Sequence, residues 1–142
     1  MWWVYAILSA FFASLTAIFA KIGITGVSSN LATAIRSIII LLVAWGIVFA
    51  RSEYKGIPAL SRHNLIYIVI SGLATGLSWI FYFKALQMGK VTQVAPVDKL
   101  SVALTIILSV IFLGETLNFK TAIGALLIIA GTIILIFDNN FH

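Results

Sequence analysis

From residue 2 to residue 20 the chain carries no charged side chain, and Lys21 is the first charge along the backbone to end that run. A helix needs about 20 apolar residues to cross the hydrocarbon core of a bilayer. Four further runs of similar length follow, so the expected fold is an all-α integral membrane bundle of five transmembrane helices. The spans fall at about residues 2–21, 31–50, 64–86, 91–113 and 117–137. Composition agrees, with 62% apolar and 9% charged residues, against about 45–50% and about 25% in a soluble domain. Too few charges remain to cover a water-facing surface, which excludes an ordinary soluble enzyme. Disorder is excluded by the wealth of Ile, Leu, Val and Phe. At 142 residues the chain is short for a polytopic protein acting alone, which hints at an oligomer.

Local signals mark the ends of the spans. Met1, Trp2 and Trp3 supply no basic leader of the kind a signal peptide needs, and the two tryptophans suit an interfacial belt, so the first span is read as retained. Ser28, Ser29 and Asn30 offer N-cap chemistry for the second span. Residues 51–63 form a polar connection that contains His63, Gln87 to Lys90 turn the chain back, and residues 138–142 form a polar tail. No boundary between domains interrupts residues 1–142, so a single domain is expected.

The net charge of +5 comes from nine Lys and Arg against four Asp and Glu. No basic stripe lies outside the apolar runs, so the excess reads as bilayer topology and not as nucleic-acid binding. With no cysteine, disulfides, thiol catalysis and Cys-ligated metals are excluded. There is no P-loop, no H-E-x-x-H and no G-x-S-x-G. His63 and His142 make no metal constellation, so neither an enzyme, a metal site nor a cofactor is expected.

Charge balance bears on orientation. Arg51, Lys55, Arg62 and Lys120 fall on the side of the N-terminus, and Lys21, Arg36, Lys84, Lys90 and Lys99 on the other. Four against five is almost no bias, so the positive-inside rule selects no orientation. A chain of this kind can insert both ways. Two copies in opposite orientations would form an antiparallel homodimer of ten helices with inverted-repeat symmetry, the arrangement in which solute sites lie near the midplane.

Charges within a span cost about 2.5–3.5 kcal/mol each and are functional candidates by default. Lys21, Arg36 and Lys84 lie near span ends on one side, and Asp98 and Lys99 lie about 10 Å into the fourth span from that same side. Asp98 and Lys99 are adjacent and project about 100° apart, so Asp98 is expected to find its cation elsewhere, at Arg36, Lys84 or Lys21. Such a bridge could be static. Alternatively Asp98 could titrate or bind a cation while Arg36 or Lys99 meets an anion. Lys21 and Lys84 are expected to snorkel to headgroups. Pro96 can kink its helix beside a cavity. Gly72-Leu73-Ala74-Thr75-Gly76 is a G-x-x-x-G that lets another backbone approach, and Ser9, Ala13 and Ala17 make a small-residue stripe on the first span. Trp79, Phe81, Tyr82 and Phe83 surround the second half of the third.

Several stretches resemble the EamA-domain family of the drug/metabolite transporter superfamily. They are Gly72 with Phe81-Tyr82-Phe83-Lys84-Ala85-Leu86, then Val94-Ala95-Pro96, then Phe112-Leu113-Gly114-Glu115-Thr116-Leu117. The block from Gly124 to Gly131 follows, and Phe19-Ala20-Lys21 and Ala34-Ile35-Arg36 match earlier. The resemblance implies a single-domain member, one five-helix repeat unit of a ten-helix inverted-repeat transporter. It implies a secondary transporter of small metabolites working by alternating access, in a prokaryotic inner membrane. Val97-Asp98-Lys99-Leu100 departs from the family's more apolar pattern. Gly124 and Gly131 are read as packing positions, and Glu115 as holding the N-terminus of the fifth span. The excess of basic embedded groups favours an anionic or zwitterionic small-molecule solute. A non-transporting membrane subunit, or a flippase of a lipid-linked metabolite, is the alternative.

Overall fold

A computed structural model describes residues 1–137, so the polar tail expected at residues 138–142 lies outside the described residues. Among the described residues five segments are long and apolar enough to cross a membrane, as the sequence predicts. With no water in the bilayer core, each span must satisfy its own backbone groups, and a helix does so locally. The chain separates into two compact units, residues 1–88 and the segment from Gly89 onward.

The first unit holds α1 (Trp2–Gly23), α2 (Ser29–Ala50), a 3₁₀ helix (Glu53–Ala59) and α3 (Arg62–Met88). The α1–α2 turn is made by Gly26 at φ +74°, a left-handed value natural to glycine. Ser28 then caps α2, its side chain accepting from Leu31 N at 3.5 Å. Ser61 Oγ accepts from Asn64 N at 3.1 Å and starts α3 earlier than expected. His63 is therefore not a loop residue. It sits on the first turn of α3, its ring 4.7 Å from that of Tyr67 one turn on.

Helix α3 packs against both α1 and α2. Successive residues are rotated by about 100°, and this sorts its aromatic cluster. Phe83 is buried, Trp79 and Tyr82 are half-buried, and Phe81 is 71% exposed. Of the small-residue stripe on α1, Ala17 is buried while Ser9 and Ala13 remain exposed.

The second unit holds α4 (Val91–Asp98), α5 (Leu100–Leu108), a π-helical turn (Ser109–Leu113) and α6 (Phe119–Phe137). The fourth span is thus irregular, tightened at Lys99 and widened to a π turn at its end. Pro96 lacks an N–H and cannot continue the ladder to the preceding turn. Three residues later Lys99 N bonds Pro96 O at 3.0 Å, and Val102 N bonds Lys99 O at 3.0 Å, both in the tighter i→i+3 pattern. The π turn ends at Gly114, whose φ of +66° closes it. Asn118, not Glu115, begins α6: its Oδ1 accepts from Thr121 N at 2.8 Å. A cap must stand immediately before the first helical residue to reach the N–H three positions on, and Glu115 lies too early.

Candidate functional site

The polar groups of the first unit gather where α1 ends, α2 begins and α3 ends. Lys21 Nζ donates to Leu86 O at 2.5 Å. Gln87 Nε2 donates to Val27 O at 2.6 Å. The last carbonyls of a helix lack intrahelical donors, and a cation is favoured at that end. Lys21 therefore closes the end of α3 instead of snorkelling. Beside it Leu86 is fully buried. Lys84, two residues before Leu86, is exposed.

Arg36 stands about 10 Å into α2, at 1.5 Å per residue. Its guanidinium carbon lies 3.4 Å from the centroid of the Trp79 ring and 5.2 Å from that of Phe83. Trp79 and Phe83 are four residues apart on α3 and share a face, with ring centroids 5.9 Å apart. Tyr82 is near enough to interact electrostatically with the arginine. A cation over an aromatic face gains about 0.5–2 kcal/mol, which offsets part of the cost of the embedded charge. Aromatic rings, not a carboxylate, neighbour Arg36 in the first unit. Trp79 was not legible as its partner, although the Trp79 and Phe83 spacing was the available signal.

In the second unit Asp98 is paired with Lys99, Nζ to Oδ2 at 3.2 Å. The expectation that these neighbours could not meet assumed one regular helix. The helix instead tightens at Lys99, which stays in the right-handed helical region at φ −71°, ψ −8° between α4 and α5. A flexible lysine at such a tightened turn can fold back on the preceding carboxylate. The pair is open, with the two side chains 57% and 34% exposed for Lys99 and Asp98. Thr132 of α6, which sequence reasoning passed over, is buried, and its single hydroxyl proton is shared between Ile128 O at 2.8 Å and Pro96 O at 3.2 Å. Its hydroxyl ties α6 to the carbonyl beside the tightened turn.

The glycines read as packing positions have room for a side chain among the described residues, although Gly124 and Gly131 are half-buried. A Cβ built on Gly72, Gly76, Gly124 or Gly131 would find no neighbouring atom within 4 Å.

The geometry thus provides a stacked guanidinium in one unit and, in the other, a carboxylate in an irregular membrane helix. The profile of the EamA-like transporter family matches residues 1–137, across both units. The chain belongs to the EamA-like transporter family. Membership in the EamA-like family, with five spans, makes it a multi-pass membrane protein of the transporter class. An uncharacterized transporter in the cobO 3' region of Sinorhizobium sp is 43% identical over 134 residues, covering 94% of this chain and 95% of that protein. An uncharacterized protein of Methanocaldococcus jannaschii is 36% identical over 87 residues, covering 61% of this chain and 64% of that protein. No solved structure matches the chain.

Proposed function

We propose that this EamA-family chain is a secondary transporter of small polar metabolites, with its two units acting as one five-helix domain. Two copies inserted in opposite orientations complete a ten-helix, antiparallel homodimer that works by alternating access in a prokaryotic inner membrane. The observation that carries the site is the irregular, tightened stretch of the fourth span that holds the Asp98–Lys99 pair. Irregular stretches of helix are where transporters place substrate and coupling ions, because irregular backbone at membrane depth is tolerated where it lines a cavity. Asp98 is the proton or cation site in this reading, and Pro96 sets the kink. Each unit carries basic groups that favour an anionic or zwitterionic solute, Arg36, Lys84 and Lys21 in the first and Lys99 in the second.

The dimer is supported by the near-balanced charge of the two sides and by glycine faces with room for a side chain. Dual insertion is tested by one cysteine placed at residue 140 of this cysteine-free chain and labelled with an impermeant maleimide. Labelling from both faces is expected, and labelling from one face alone overturns it. Transport is tested in proteoliposomes with a panel of radiolabelled carboxylates, amino acids and amines. Asp98→Asn is expected to abolish coupled uptake while leaving the dimer assembled. Unchanged uptake would make Asp98 structural.

A further inference from the structure

We propose that Arg36, laid on the ring of Trp79, is the residue that receives the carboxylate of a small organic-acid or amino-acid solute. This rests on the transport reading and names the chemical class of the solute. A separation of 3.4 Å between the guanidinium carbon and the ring centroid is the contact distance of two flat faces. A guanidinium standing upright at that distance would drive a nitrogen into the ring, so Arg36 lies flat on the indole. Stacking occupies the face of the cation and leaves its edge, where all five N–H donors lie in one plane.

Within the first unit no carboxylate meets that edge: the neighbours of Arg36 there are the rings of Trp79 and Phe83, with Tyr82 close by. The lone acidic residue of residues 1–88 is Glu53, which pairs with Arg51 at 3.8 Å beyond the opposite end of α2. Of the two lysines of this region, Lys21 donates to Leu86 O and Lys84 is exposed. The side chain is also held in a way that argues against simple snorkelling. An arginine reaching for headgroups extends along its own helix, whereas this one lies sideways on a neighbouring helix. A planar fork matches a carboxylate through two parallel hydrogen bonds, and an ammonium does not reproduce that match. The aromatic faces of Trp79 and Phe83 lower the local dielectric on one side of the cation, which strengthens a charge-assisted pair. Phosphate oxygens of a free ion or a lipid could use the same edge, and the experiment separates these sources.

The test uses the full chain in phosphate-free maltoside micelles, with Trp2, Trp3 and Trp45 replaced by phenylalanine so that Trp79 alone reports. Acetate, pyruvate and benzoate are titrated against sodium chloride, inorganic phosphate and short-chain phosphatidylglycerol. A saturable change in Trp79 emission with the carboxylates, absent with chloride, is expected. Arg36→Lys keeps the charge and should weaken carboxylate binding at least tenfold. Arg36→Gln should abolish it, with helicity by circular dichroism unchanged in both variants. No saturable response to any carboxylate, saturation by phosphatidylglycerol or phosphate alone, or an unaltered Arg36→Lys affinity each overturns the assignment. Pyruvate binding that depends on Arg36 without pyruvate flux in liposomes leaves the site and removes the transport reading. Carboxylate flux that survives Arg36→Gln does the reverse.

Discussion

The guanidinium of Arg36 on α2 lies 3.4 Å above the ring of Trp79 on α3, so an embedded cation is held by an aromatic face. If this contact couples the helices energetically, the Arg36→Ala, Trp79→Ala double-mutant cycle should give an interaction of about 0.5–2 kcal/mol. Trp79→Phe should retain part of it, because the phenyl ring is the weaker π partner. Reversible unfolding in mixed micelles measures both. A cycle that closes at zero would leave the stack without energetic weight.

Thr132 holds α6 to the carbonyl of Pro96 beside the tightened turn in the fourth span. Thr132→Val keeps the shape and removes the hydroxyl, and should cost about 0.6 kcal/mol, the average for interhelical hydrogen bonds in membranes, and at most about 1.7 kcal/mol. Thr132→Ser should cost less. Amide exchange at residues 97–102 should quicken in the valine variant alone, since the loss is local to the tie.

Gly114 ends the π turn at φ +66°, with open space where a Cβ would stand. Its replacement by alanine therefore meets no clash, and the penalty is conformational, about 1–2 kcal/mol for a left-handed residue. Gly124→Ala, inside α6 and also with room for a Cβ, should instead stabilise the single chain by about 0.8–1 kcal/mol. Thermal unfolding of the two variants should move in opposite directions.

Gly72 and Gly76 offer a sharper test of self-association. Nothing in the chain contacts the space a Cβ would take at either position. Leucine at both should leave the helix content of the monomer unchanged. If a second copy packs on this face, the double variant should lose energy transfer between labelled copies in liposomes. Unchanged transfer would place the dimer contact elsewhere.

How far the sequence could be read differs from residue to residue. Ser28 announced the start of α2, and the α1–α2 turn was visible in the glycines that follow Lys21, because caps and turns depend on a few neighbouring residues. Asn118 was missed as the cap of α6 because the apolar run begins before it. Pro96 marked a disturbance, yet it is at Lys99 that the backbone tightens to i→i+3 bonds. The pairing of Asp98 with Lys99 followed from that tightening and contradicted the rule for a regular helix.

What residues 1–137 determined by themselves was the number of spans, their approximate limits and the family. These follow from unbroken apolar length, since a segment in hydrocarbon has to meet its own hydrogen-bonding needs. The partners of the embedded charges were settled only by tertiary structure. Which face of α2 meets which face of α3 decided that Arg36 rests on Trp79, and the approach of α3 to α1 gave Lys21 the carbonyl of Leu86. A cation can offset its cost in a membrane with a ring, a carbonyl or a carboxylate, and packing geometry alone chooses among them.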